Sequence, residues 1–197
     1  MENKTKYEEY MKIILEENSK VNLISKNDEK YLWEKHVFDS LAIKNFFEKF
    51  DTSKIKTILD IGTGGGFPSI PIAITYPHLK VTALDSIAKK IRAVQTIKDK
   101  LNIENLEPIC TRVENLDAKF DMITSRAVSS LKNICEYALP KLKKGGYFVA
   151  YKSRKTPQEI EEANSILKKY NSKIVDIIEQ FGAKVERGKN EFTVYKS

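Results

Sequence analysis

Asp60, Gly62, Gly64 and Gly66, at alternate positions, form the segment of this chain best suited to holding a small molecule. They belong to Asp60-Ile61-Gly62-Thr63-Gly64-Gly65-Gly66, which lies between the β-rich run Thr57–Ile61 and a run from Ser69 to Tyr76 that can be helical. A glycine loop between a strand and a helix is the context in which such a motif carries chemical meaning. Glycine tolerates positive φ and lets backbone approach a ligand with no Cβ in the way. Two phosphate-binding loops are excluded. A dinucleotide loop needs Gly-x-Gly-x-x-Gly, but counted from Gly62 the sixth position is Phe67, and counted from Gly64 it is Ser69. A P-loop needs Gly-Lys-Ser/Thr, which is absent. Taken alone, the glycines could also mark a tight structural turn.

The spacing Asp-x-Gly-x-Gly-x-Gly is that of a loop around the methionine part of S-adenosylmethionine, where Asp60 can face the ammonium group. This ligand brings a cation and no phosphate, so a carboxylate beside it is sensible electrostatics. Asp85 ends the next strand-like run, Lys80–Leu84, 23 residues after Gly62. An acid there can accept both ribose hydroxyls of an adenosine. Val113 and Glu114 follow a third run, Leu106–Cys110, where an adenine would lie; Glu114 by itself reads equally well as a solvated loop acid.

Methyl transfer from a sulfonium is an in-line displacement, so the protein mainly positions the acceptor and excludes water. Exocyclic amino acceptors call for Asn/Asp/Ser-Pro-Pro-Tyr/Phe after the fourth strand; Ser125-Arg126-Ala127 stands there instead. Cytosine C5 chemistry needs a cysteine nucleophile after Pro or Thr, and Cys110 and Cys135 both follow isoleucine. A ring nitrogen such as guanine N7 needs neither device, because its lone pair is free in the neutral base.

These groups must be positioned by an alternation of strands and helices. Residues 5–17 place Tyr7, Tyr10, Met11 and Ile14 on one helical face, with a polar stretch from Glu16 to Lys20 after them. A second helix is expected from about Asn27-Asp28 to Phe47. Ser86 can cap a helix carrying Ile87, Ile91, Val94, Ile97 and Leu101. Asp121–Thr124 reads as a fourth strand, and Leu131 to Leu142 as a helix closed by Gly145-Gly146. Tyr147–Tyr151 reads as a fifth strand and Ile160 to Tyr170 as a helix. Ile174–Ile178 and Phe192–Tyr195 read as an antiparallel final pair at the sheet edge. The expected fold is therefore α/β, a class I, Rossmann-like methyltransferase with a seven-stranded, mostly parallel sheet and a reversed edge strand. Residues 1–50 form an N-terminal helical extension and 51–197 the S-adenosylmethionine-binding domain. Ligands of such sheets sit at the carboxyl ends of the strands, where the strand order reverses, and the glycine loop falls there.

The 197 residues carry 41% hydrophobic side chains, enough for a packed core. Lys and Arg number 34 against 27 Asp and Glu, a charge of +7, which favours an anionic partner such as nucleic acid or else a solvated lysine surface. The two cysteines form no disulfide framework and no zinc spacing, and are expected as reduced core thiols; no metal site is expected. No apolar leader follows Met1-Glu2-Asn3-Lys4, and no run approaches the ~18 apolar residues of a membrane span. A cytoplasmic protein is the expectation, with a monomer as default.

The run Leu59 to Pro71, Asp-Ile-Gly-Thr-Gly-Gly-Gly-Phe-Pro-Ser-Ile-Pro after its leucine, resembles the signature of the RsmG (GidB) family, bacterial small-subunit (16S) ribosomal RNA guanine-N7 methyltransferases. Asn22-Leu23-Ile24-Ser25, His36-Val37-Phe38-Asp39-Ser40-Leu41, Leu84-Asp85-Ser86 with Lys89-Lys90, Arg112-Val113-Glu114 and Ser125-Arg126-Ala127 resemble its other motifs, so the likeness spans roughly residues 5–195. It implies cofactor contacts at Gly62, Phe67, Val113, Glu114 and Arg126, and ribosomal RNA as the partner. Ser69 stands where the family usually has glycine, which can tighten the loop–helix packing, and Lys152-Ser153 where Lys-Gly is usual.

On spacing alone Arg126 pairs with Glu114 or reaches RNA; the resemblance favours a place beside the reacting groups. His36, with Asp39, either touches RNA or stitches the N-terminal helices to the core. Basic clusters occur at Lys89, Lys90 and Arg92, at Lys141, Lys143 and Lys144, and at Lys152, Arg154 and Lys155. The last follows the fifth strand on the ligand edge, so Lys152, Arg154 and Lys155 are the expected RNA phosphate contacts. Two other functions stay open: the same chemistry on another RNA or a small molecule, and a non-catalytic nucleotide- or RNA-binding module.

Overall fold

Helix α1 (Glu2–Val21) buries Tyr7, Tyr10, Ile13 and Ile14. It also runs on through the polar stretch after them. Glu17 and Asn18 are buried there because they have partners: the Asn18 amide donates to Glu29 Oε1 (2.6 Å) and accepts from the Ile24 N–H (2.8 Å), and Glu17 takes Lys20 (2.7 Å). The computed structural model describes residues 2–152, 156–180 and 190–196 of the chain.

The single second helix expected from the pattern is three short pieces: α2 (Lys26–Glu29), a π-helical turn (Trp33–Phe38) and α3 (Ile43–Lys49). The wider π turn is a recognised local device at functional sites, and here it carries His36. The Ser40 hydroxyl donates to the His36 carbonyl (2.5 Å) and Tyr151 Oη to the Ser40 carbonyl (2.9 Å), tying the turn to the sheet.

The α/β portion comprises β1 (Thr57–Ile61), α4 (Ser69–Thr75), β2 (Lys80–Asp85), α5 (Ala88–Lys100), β3 (Leu106–Cys110), β4 (Phe120–Arg126), α6 (Leu131–Ala138), β5 (Leu142–Lys152), α7 (Thr156–Lys169), β6 (Lys173–Gln180) and β7 (Asn190–Lys196). Strands order as β3-β2-β1-β4-β5-β7-β6; the first five pair in parallel, and β7 pairs antiparallel with both β5 and β6. The reversed strand is therefore not at the edge. β7 fills the place between β5 and β6, where both rows of its backbone groups are satisfied. The edge falls to β6, whose residues 173–178 are half-exposed or exposed, with Asp176 in an ion pair with Lys49 (2.7 Å), a composition that suits an unpaired rim.

Side chains alternate between two cores. Ile58, Val81, Ala83, Met122, Val149 and Tyr151 face one side, where α1, α3, α4 and α5 pack in a single cluster with them. Leu59, Ile61, Leu84, Ile123, Phe148 and Ala150 face the other, covered by α6 and α7. The N-terminal 50 residues thus share their core with the sheet.

Four local expectations are corrected. Gly145-Gly146 does not close a helix; α6 ends at Ala138, and the glycines sit in a bulge of β5 where the register with β4 slips between Phe120 and Met122. Gly145 takes φ +77°, and a Cβ at Gly146 would lie 2.8 Å from the Asp121 carbonyl, so the close approach requires glycine. Ser86 makes no capping bond; Asp85 Oδ1 accepts from the Ile87 N–H instead (2.9 Å). Ile87 is 41% exposed, outside the core stripe. Cys110 is exposed on the edge strand β3, whereas Cys135 is buried on α6, and burial pushes its thiol up to about 12. Among the described residues, no helix is long and apolar enough to cross a membrane, and no cluster of His, Cys, Asp or Glu could hold a metal.

Candidate functional site

The strand order reverses between β1 and β4, and the glycine loop turns over the carboxyl ends of β1 and β2. Gly62 and Thr63 donate their N–H groups to the Leu84 carbonyl (2.8 and 2.9 Å). Gly62, Gly64 and Gly66 take φ of +72°, +57° and +88°, which non-glycine residues rarely adopt. At Gly62 space is closed as well: a Cβ would stand 2.4 Å from Val128 Cγ2.

Beside this loop is a cavity of about 440 Å³, lined among others by Gly62, Asp85, Val113, Glu114, Val128 and Tyr137. The volume lies in the usual range for small-molecule sites. Asp85 Oδ2 accepts from the Gly64 N–H (3.0 Å) and Oδ1 from Ile87. Each carboxylate oxygen keeps a second lone pair for a ligand hydroxyl. Val113 is buried and Glu114 exposed in a 3₁₀ turn, Val113–Asn115. A smaller cavity of about 290 Å³ lies at the opposite, amino ends of β1 and β4, among Lys54, Asp121 and Lys143.

Asp60 does not look into the cleft. Its carboxylate has no exposure, accepts from the Ser69 N–H (3.3 Å) and Thr124 Oγ1 (2.9 Å), and holds the loop to α4 and β4. Burial raises its pKa to about 6, against the hydrogen bonds of Thr63, Thr124 and Ser69 and the charge of Arg126, which lower it.

Phe67 and Arg126 likewise belong to a different cluster from the one expected. Arg126 pairs not with Glu114 but with Asp39 Oδ2 (2.9 Å), and it also donates to the Lys35 carbonyl (3.3 Å). Its guanidinium lies 5.1 Å from the centre of the buried Phe67 ring, which the His36 ring meets at 5.0 Å. Arg126 Nη2 is 3.1 Å from His36 Nδ1. Arginine can only donate, so Nδ1 accepts and the imidazole proton is on Nε2, which is buried and has no partner among the described residues. Burial, then the Arg126 charge, lowers the His36 pKa to about 4. Through these contacts His36 links the π turn to Phe67 and to Arg126 of β4.

A family model described as GidB, rRNA small subunit methyltransferase G, matches residues 3–187. Proteins named Ribosomal RNA small subunit methyltransferase G are 37% identical over 169 residues in Lysinibacillus sphaericus (83% of this chain, 70% of that one) and 38% identical over 177 residues in Staphylococcus saprophyticus (87% and 73%). The chain belongs to the rRNA small subunit methyltransferase G family. Solved structures agree on an α/β, Rossmann-like methyltransferase fold. An O-methyltransferase from Bacillus cereus, solved with SAH, aligns with a TM-score of 0.63 at 18% identity, over 95% of this chain and 90% of that one. TYW2 from M. jannaschii, solved with AdoMet, aligns at 0.59 and 18%, over 80% and 74%.

In this member of the methyltransferase G family, Ser69 is fully buried, with its hydroxyl 2.5 Å from Thr63 Oγ1, so it adds a bond between loop and helix. Lys152 does not present a free ammonium. It is ion-paired with Glu159 (2.7 Å), donates to the Ser129 carbonyl (2.6 Å), and its side chain is 11% exposed. Arg154 and Lys155 lie outside the described residues. Tyr137, Val128, Ile87 and Arg112 line the cleft without having been singled out as ligands. Tyr137 and Val128 are large apolar side chains left exposed beside a glycine loop, a signal that only burial reveals.

Proposed function

We propose that this protein transfers the methyl group of S-adenosylmethionine to N7 of a guanine in 16S ribosomal RNA, acting in the cytoplasm where that RNA is assembled. The carrying observation is the cavity that joins backbone at Gly62, the half-used carboxylate of Asp85 and the Val113–Glu114 turn. These residues fit the cofactor. Gly62 presents bare backbone to the cavity, and with Val128 standing where its Cβ would be, the wall tolerates no side chain at that position. Asp85 has lone pairs that would accept from the ribose hydroxyls, and Val113 and Glu114 would lie beside the adenine. When bound, the cofactor supplies a methyl group activated by its sulfonium.

The chain's own residues then orient the base and exclude water. None need take a proton, because N7 attacks with a free lone pair. The described site agrees with that demand: His36 has Nδ1 engaged by Arg126, and the Asp60 carboxylate is enclosed. RNA phosphates would meet basic groups at the mouth of the cleft, Lys90 and Arg112.

The test is incubation of small-subunit ribosomal RNA or subunits with methyl-labelled S-adenosylmethionine, followed by mass spectrometry of the nucleosides. Label in 7-methylguanosine is expected. Label in another nucleoside would reassign the acceptor, and cofactor binding without transfer would favour a non-catalytic RNA-binding module. The saturated single-turnover rate should show no group titrating near neutrality.

A further inference from the structure

Residues 127–130 leave β4, and Ala127 and Val128 form one wall of the cleft. Ala127 has φ +55°, a conformation that a side-chain-bearing residue keeps only when its surroundings hold it. Val128 is 45% exposed, yet it closes over Gly62 so tightly that a Cβ could not be added there. Ala127 and Val128 both line the cavity. Little of this wall is held by apolar burial. What holds it is polar: Lys152, at the end of β5, grips the Ser129 carbonyl (2.6 Å), and Glu159, on α7, accepts from the Leu131 N–H at the start of α6 (2.8 Å). The two side chains are joined by their own ion pair (2.7 Å).

We propose that Lys152 and Glu159 are positioning residues of the cofactor site, a clasp that fixes residues 127–131 against Gly62, and that Lys152 is not an RNA phosphate ligand. The inference rests on the reading of the cavity as the S-adenosylmethionine site. The geometry favours the clasp over phosphate binding on two grounds. Two of the three ammonium donors of Lys152 are already directed at protein oxygens. Glu159 also cancels the field that a phosphate would feel. The clasp joins the ends of β5, α6 and α7, so an error in it moves the wall and leaves the glycine loop in place.

The two roles predict opposite signs for Glu159. S-adenosylhomocysteine is titrated calorimetrically into the wild type and into Lys152→Met, Glu159→Gln, Lys152→Arg and the Met/Gln double variant. The affinity of each for 16S RNA is measured across a salt series. The clasp predicts that Lys152→Met and Glu159→Gln each weaken S-adenosylhomocysteine about tenfold, as expected for losing a charge-assisted hydrogen bond. The double variant is no weaker than either single one, because both break one unit. Lys152→Arg retains most of the affinity, and the salt slope of RNA binding is unchanged throughout. The proposal is overturned if Lys152→Met leaves S-adenosylhomocysteine binding intact while lowering RNA affinity and flattening its salt slope, and if Glu159→Gln, by removing a negative charge, tightens RNA. Should Lys152→Met fail to fold in a thermal melt, Glu159→Gln and Lys152→Arg carry the same comparison. Failure of the wild type itself to bind S-adenosylhomocysteine would overturn the reading of the cavity, a result separate from any difference among variants.

Discussion

Asp85 ends β2, Asp60 is one residue short of the end of β1, and both flank one glycine loop, yet they belong to different regions. Asp85 sits at the open cleft, with both oxygens engaged by backbone N–H groups and lone pairs to spare. Asp60 lies under the loop, on the sheet face packed by the N-terminal segment, in a closed group with Ser69, Thr124 and the nearby charge of Arg126. On the proposed function, the first region is the one that receives the cofactor. The second is built to hold the first in shape. A carboxylate beside glycines can serve either purpose, and the side of the sheet it points to decides which.

The sharpest way to break that comparison is Gly62→Val. It puts a branched side chain at φ +72° into space that Val128 occupies. Cofactor affinity should fall by more than about a hundredfold, roughly 3 kcal/mol, while the folded state persists. Calorimetry with a parallel thermal melt checks this. A variant that unfolds before it loses cofactor would mean the glycines serve only the turn.

Asp85→Ala comes next. Removing a charged acceptor of the ribose should weaken S-adenosylmethionine by ~2–3 kcal/mol. Unchanged affinity in a folded variant would take Asp85 out of the site. Asp60→Ala sharpens the contrast, because its loss should lower the melting temperature more than it lowers cofactor affinity.

The open region was largely legible in the chain. The short β-rich runs, the glycine spacing and Asp85 are local signals, and β1 to β4 fall close to where periodicity puts them. The closed region was not, because its contacts are remote in sequence: Arg126 meets Asp39 across 87 positions and His36 across 90. Arg126 and Glu114 are much nearer in sequence, and that proximity misled. The side to which Asp60 points follows from the pleat only once the packing of each sheet face is known. The place of β7 between β5 and β6 depends on which edge the last hairpin meets, which no alternation pattern encodes. The π turn at Trp33–Phe38 looks like ordinary helix by composition.

Arg126 belongs to the closed region by its contacts, and the next residue, Ala127, lines the cleft. Arg126→Ala should slow single-turnover methylation at saturating RNA and cofactor by about tenfold, with RNA affinity little changed. A change confined to the salt slope of RNA binding would make Arg126 a phosphate contact instead. His36→Asn, which can keep an acceptor near the Nδ1 position, should preserve most of the rate, and His36→Phe should not.

The smallest effect concerns acid stability and sets the two buried groups against each other. His36 has a folded pKa of about 4, below its ordinary 6.5. Between these values the unfolded chain holds a proton that the folded one lacks, so stability falls as pH drops from 6.5 toward 4. Asp60 has a folded pKa of about 6, above its ordinary 3.8. Between those values the folded state holds the extra proton, so stability rises as pH drops from 6 toward 4. The windows overlap, and each contribution is on the order of 1 kcal/mol after allowance for coupling through Arg126. In the wild type the two slopes largely cancel. His36→Asn removes one of them. Relative to the wild type, its unfolding free energy should therefore gain on the order of 1 kcal/mol as pH is lowered from 6.5 to 4. Urea unfolding at a series of pH values measures the difference directly, since groups outside the cluster titrate alike in both proteins. A difference that stays flat across this window would mean that His36 is not held neutral by its burial, and that the closed region is open to water.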